Sequence, residues 1–134
     1  MNLIKTLNIE IWDRSFSLNV EYDCYAGEEI TPKQIEVVER LSKNLHWISD
    51  AKKDVVKYCK PKVDKDSENQ KKDNIFSYVK PEALFVKRDD KKSRIALMCK
   101  YRYDPEHGLA VVFDANGNVT VGTQDIILQN KKYK

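Results

Sequence analysis

The chain has 134 residues, 41% hydrophobic and 34% charged, with 24 Lys+Arg against 21 Asp+Glu and a formal charge of +3. The apolar fraction and thirteen aromatic side chains suffice for one core, which excludes wholesale disorder, and a domain of this size hides roughly two-thirds of its unfolded surface from water. No apolar run approaches the roughly 18 residues of a membrane span, and residues 1–11 alternate instead of forming a signal-peptide core, so a single cytoplasmic domain without membrane contact is expected. The charge is unevenly placed: residues 1–50 carry nine acids and five bases, and residues 51–134 carry twelve acids and nineteen bases. Three of those bases, Lys131, Lys132 and Lys134, form a short basic tail at 130–134, so the rest of the chain is formally neutral but segregated, a pattern that suits a charged partner. Cys24, Cys59 and Cys99 are odd in number with no CxxC pair, which suits reduced thiols and argues against disulfides or structural zinc.

In chain order, Leu7, Ile9 and Ile11 alternate with polar neighbours, and after Asp13-Arg14 so do Phe16, Leu18, Val20 and Tyr22, which predicts a β-hairpin with one buried face. Thr31-Pro32-Lys33-Gln34 then carries an N-cap hydroxyl, a proline at the first helical position and a Gln that closes a capping box. Ile35, Val38, Leu41 and Leu45 continue it as an apolar stripe, with Asn44 a natural stop. Ile48, Ala51, Val55 and Tyr58 or Cys59 predict a second helix that Pro61 ends. Residues 60–74 hold five lysines and four acids with Val63 as the one aliphatic residue, which predicts a flexible charged loop between two halves of one sheet. Beyond it, Leu84 and Val86 mark a short strand. Ile95, Leu97, Cys99, Tyr101 and Tyr103 then alternate with Arg94, Ala96, Met98, Lys100 and Arg102. Two further strands flank Asn116-Gly117, a type I′ hairpin signal. The expected fold is α+β: an antiparallel sheet in ββαα-ββββ order with two helices packed on one face.

The most distinctive string is Asp104-Pro105-Glu106-His107-Gly108. One reading is structural: Asp accepts a backbone N–H, Pro fixes φ and Gly supplies a left-handed position. The other joins Asp104, Glu106 and His107 with Asp114 or Asp125 as a metal or acid/base site, because carboxylates and imidazole are suitable ligands and proton carriers. Phosphate loops, HExxH, GxSxG and zinc spacings are missing, so no catalytic residue, metal or cofactor is assigned and the chain is not expected to be an enzyme. Arg94, Lys100 and Arg102 share the outer side of one strand with Lys87 nearby, and Glu28 and Glu29 stand in an acidic stretch. These six are the candidate binding residues. A basic sheet face could grip phosphates, but sheet-type RNA readers display aromatics on that face, and Tyr101 and Tyr103 fall on the apolar side. A protein partner is preferred to nucleic acid.

The string DPEHGLAVVF and, after the Asn-Gly hairpin, VGTQDIIL resemble a family of small bacterial cytoplasmic proteins known chiefly as uncharacterised. Asp104, Glu106, His107, Gly108, Gly122 and Asp125 carry the resemblance, which covers mainly residues 95–128. It implies an N-terminal hairpin and helical segment joined to a strand-rich C-terminal half, with no catalytic role for those positions. Some relatives stand beside secreted toxins as immunity proteins do, so it also implies an interaction role. The expectation is a small protein-binding module, an immunity-type inhibitor whose partner is a toxin domain. The alternatives are an acid/base or metal-dependent enzyme on the Asp104 turn and a nucleic-acid binder.

Overall fold

The computed structural model describes residues 3–24, 26–88 and 90–128, so the basic tail lies outside the described residues. Strands β1 (Thr6–Ile11) and β2 (Arg14–Tyr22) pair antiparallel with Ile11 opposite Arg14. The turn is therefore Trp12-Asp13, not Asp13-Arg14. Both residues have positive φ, 50° and 76°, as a two-residue hairpin with right-twisted strands requires. A tryptophan is an unusual residue to hold that conformation. It is kept there by burial, with 6% of its surface exposed, and by donation from Nε1 to the Ile48 carbonyl at 3.0 Å.

Helix α1 (Pro32–Ser42) begins with the expected capping box. The Thr31 hydroxyl accepts from the Gln34 amide at 3.1 Å, and Gln34 Oε1 accepts from the Thr31 amide at 2.9 Å. Gln34 is 2% exposed, and its Nε2 donates to the carbonyls of Asp23 and Val86 at 3.1 and 3.2 Å. One side chain thus caps the helix and ties it to the chain leaving β2 and to the end of the third strand.

The single second helix of the sequence reading is in fact two, α2 (His46–Asp50) and α3 (Lys52–Lys65), and Pro61 lies inside α3. Proline removes one backbone donor and crowds one carbonyl. Here Pro61 is exposed, and buried Val55, Cys59 and Val63 recur every four residues, so the apolar stripe carries the helix past it. Six residues of the expected charged loop are accordingly helical. The rest is pinned by side chains: Asp66 Oδ1 accepts from the amides of Glu68 and Asn69 at 3.0 and 3.1 Å, and Asn69 Nδ2 donates to Ser77 Oγ at 3.0 Å.

A short 3-10 turn at Ile75–Ser77 leads into β3 (Val79–Val86), followed by β4 (Ile95–Tyr101), β5 (Leu109–Phe113), β6 (Val119–Gly122) and a terminal turn of helix, α4 (Asp125–Leu128). β3 is longer than the short strand expected, because Pro81 is accommodated beside a register shift between Pro81 and Ala83. The six strands form one sheet in sequence order. All neighbours are antiparallel except β2 and β3, where Asn19 pairs with Ala83 and Tyr22 with Val86 in parallel. The expected wholly antiparallel sheet is corrected here, and the reason is the helical connection: it returns the chain to the starting end of the sheet, as a parallel pair demands. The Asn116-Gly117 turn is also corrected. Gly117 has φ 83° while its amide donates to the Asp114 carbonyl at 3.1 Å, and the Asp114 amide donates to the Asn118 carbonyl at 3.1 Å. That is a three-residue loop with glycine in the left-handed position, not a two-residue type I′ turn.

Alternate strand residues, among them Leu18, Leu84, Leu97 and Val111, join Val38, Leu41, Ile48, Val55 and Cys59 of the helices in one buried cluster. Their neighbours in β4 and β5, Ala96, Met98, Ala110 and Val112, form a second cluster with Ile127 of α4. β4 and β5 are therefore buried on both sides, and the helix responsible was not foreseen in the sequence.

Candidate functional site

The Asp104 turn is built mostly to close on itself. Asp104 Oδ1 accepts from the His107 amide at 3.2 Å and stands 3.0 Å from His107 Nδ1, while the Gly108 amide donates to the Asp104 carbonyl at 2.8 Å. The Gln124 amide donates to the His107 carbonyl at 3.1 Å, and Gln124 Nε2 donates to the Cys99 carbonyl at 3.1 Å, fastening the turn to the approach to α4 and the end of β4. Gly108 has φ 64°, and a Cβ there would stand 2.6 Å from Gln124 Nε2 and 2.9 Å from the Cys99 carbonyl, so only glycine fits. The hydrogen bond with His107 holds the Asp104 carboxyl below its usual range, and the same contact raises the imidazole.

Asp104 and His107 are thus brought together. Glu106 is exposed, and Asp125 opens α4; both act on His107 only through their charge. Among the described residues no three His, Cys, Asp or Glu side chains are grouped to hold a metal ion. Cys24 is half-buried, whereas Cys59 and Cys99 are buried, with burial pushing the Cys59 thiol up to about 11 and raising Cys99 as well.

The six candidate binding residues separate into two ends of the sheet. Arg94 precedes β4 and is gripped by Asp90: Nε donates to Oδ2 at 2.9 Å, and the Arg94 amide donates to the same oxygen at 2.8 Å. Half-buried Lys87 follows β3 at that end. Glu28 and Glu29 are there too, drawn to Arg88, whose Nε lies 3.5 Å from Glu28 Oε1 and whose Nη1 donates to the Glu29 carbonyl at 2.7 Å. The Glu28 carboxylate is thus met by a later base, whereas Glu29 reaches Arg88 through its backbone carbonyl. Lys100 and Arg102 lie at the opposite end of β4, with Lys100 Nζ 3.5 Å from Glu82. Ala96 and Met98, which share that side of β4, are buried under α4 and lie between the two groups of bases.

What the fold assembles instead is a basic end. Lys62 and Lys65 of α3 line an open depression of about 540 Å³ with Arg102, Asp66 and Tyr103. Arg102 is shared with a second depression of about 420 Å³, walled by Tyr78, Val79, Tyr101 and Pro105 and rimmed by Lys80 and Lys100. Arg102 Nε and the Tyr103 hydroxyl both donate to Asp66 Oδ2, at 3.0 and 2.9 Å. Desolvation opposes the charged form of Asp66, but the hydrogen bonds from Tyr103, Arg102 and the Glu68 and Asn69 amides outweigh it and hold the carboxyl below its usual range. Lys62, Lys65 and Asp66 escape the sequence reading because it ends the helix at Pro61, and Lys80 escapes it because the third strand begins at Val79 and not near Leu84. The four-residue recurrence of Val55, Cys59 and Val63 was the signal that could have carried the helix to the first three.

A family model described as "Domain of unknown function (DUF6985)" matches residues 3–128. No curated protein and no solved structure matches the chain. Since that match spans nearly all of the sequence, hairpin through α4, the chain belongs to the DUF6985 family.

Proposed function

We propose that this chain is a cytoplasmic protein-binding module of a bacterial cell, an immunity-type inhibitor that neutralises a toxin domain by covering its active site with a charged surface. The observation that supports it most is the gathering of Lys62, Lys65, Lys80, Lys100 and Arg102 from α3, β3 and the end of β4 around two adjoining depressions. Such a patch accelerates encounter with an acidic partner and weakens as salt screens it. The resemblance of the Asp104–Gly108 turn and the Gly122 to Asp125 stretch to proteins found beside secreted toxins supplies the kind of partner. The acid/base alternative has weaker support, because Asp104 and His107 face each other on an exposed turn.

The test is recovery of the tagged chain from its native cells at about 50 mM and about 500 mM salt. A stoichiometric protein partner at low salt, depleted at high salt and toxic unless this chain is co-expressed, is the expected result. Recovery of nucleic acid alone, or of no protein at either salt, would overturn the reading.

A further inference from the structure

The two depressions at the basic end differ in chemistry, and Arg102 joins them. Asp66 is fully engaged: Oδ1 accepts two backbone amides, and Oδ2 accepts Arg102 Nε and the Tyr103 hydroxyl. It therefore holds the guanidinium by one edge. The two terminal nitrogens of Arg102 have no hydrogen bond among the described residues, and its side chain is 46% exposed. A fork held in this way is set to take two oxygens of one anion in parallel. Lys62 and Lys65, three apart on α3, line the same depression, and neither has an acidic partner within salt-bridge distance among the described residues. The neighbouring depression is lined by half-buried Phe76 and by Pro105 over the largely buried Tyr78, Val79 and Tyr101, an apolar setting that suits an apolar side chain.

We propose that this paired site binds an extended acidic segment of the protein partner. One carboxylate lies on the Arg102 fork beside Lys62 and Lys65, and the adjacent apolar side chain enters the Tyr78–Tyr101 depression. The inference rests on the protein-binding reading and specifies its contact. A nucleic-acid strand fits less well, because Tyr78 and Tyr101 are each only 5–6% exposed and the Phe76 ring that also lines the depression is covered by the Arg14 guanidinium at 4.4 Å. Tyr101 also meets Tyr103 edge-on at 5.5 Å. Asp66 and Glu82 further break the run of positive charge that a phosphate backbone would follow.

The experiment is an amide-shift titration of the full chain at low salt with three probes: a pentapeptide alternating glutamate with leucine and phenylalanine, its glutamine counterpart, and a ten-nucleotide oligothymidine. The acidic peptide is expected to shift residues 62–66, 78–80 and 100–105, with roughly tenfold weaker binding by the glutamine peptide, by Arg102→Gln and by Lys62→Gln/Lys65→Gln. The lysine pair is solvent-exposed on α3, so its replacement keeps the test open if Arg102→Gln unfolds. Shifts scattered over all surface lysines, equal binding of the two peptides, or tighter binding of the oligonucleotide would overturn the proposal. Unchanged binding of a native protein partner by both variants would remove this site and leave the protein-binding reading standing. Peptide binding here without any native protein partner would keep the site and remove the toxin reading.

Discussion

At the scale of single residues, the positions that matter most are those whose chemistry is forced by their neighbours. Gly117 has φ 83°, and a Cβ there would stand 2.5 Å from the Trp47 ring, which itself stacks on Phe113. Gly117→Ala is expected to destabilise by about 1–3 kcal/mol through backbone strain and displacement of that ring, read by thermal melting. His107 owes its raised pKa first to the hydrogen bond with Asp104. A group raised in the folded state adds stability that is fully present below its unfolded pKa near 6.5 and lost as pH rises through the folded value. Asp104, being lowered, adds stability above its unfolded pKa that is lost as pH falls through the folded value. Titration of His107 by NMR should give a value above 6.5 that drops back in Asp104→Asn; an unchanged value would deny the pairing. The cysteines make a simpler expectation. Iodoacetamide on the native chain near pH 8 should label half-buried Cys24 and spare Cys59 and Cys99, because burial disfavours both thiolates.

At the scale of elements, the joints are carried by a few side chains that face in two directions. Gln34 closes the α1 capping box and binds two carbonyls at strand ends, so Gln34→Leu should cost roughly 1–3 kcal/mol by chemical denaturation. α4 is short, yet fully buried Ile127 covers Ala96, Met98, Ala110 and Val112. Ile127→Ala should cost about 2–5 kcal/mol; a smaller loss would mean that the second cluster is not part of the cooperative core.

These elements also mark what the sequence made legible. The hairpin alternation, the Thr31 box and the period-two run from Ile95 are local signals, and each corresponds to an element of the structure. The parallel pairing of β2 with β3 is non-local and leaves no mark in either strand. Pro61 misled because proline propensity is a local rule, whereas Val63 is drawn into the core by tertiary burial. The basic site was half legible: Lys100 and Arg102 were read from their own strand, but Lys62, Lys65 and Lys80 reach them only through folding.

At the scale of the whole molecule, the segregation seen along the chain is redrawn in space. The Glu28 carboxylate and the Glu29 carbonyl meet Arg88 at one end of β3 and β4, and the lysine-rich depressions lie at the other end, roughly 20–25 Å away at about 3.3 Å per residue. Each end contains opposite charges, but at the basic end neither Lys62 nor Lys65 has an acidic group within salt-bridge distance among the described residues, and Lys62 acts on Asp104 through its charge alone. The partner is therefore expected to meet that end first. Its association rate should fall by tenfold or more between low and physiological salt, with little change in dissociation rate.

The most direct measurement is the association of the purified native partner with the full chain and with Lys62→Glu/Lys65→Glu, at low salt. Recognition through the basic end requires the charge-reversed chain to associate at least tenfold more slowly while melting at nearly the same temperature. Equal association rates for the two chains would contradict it.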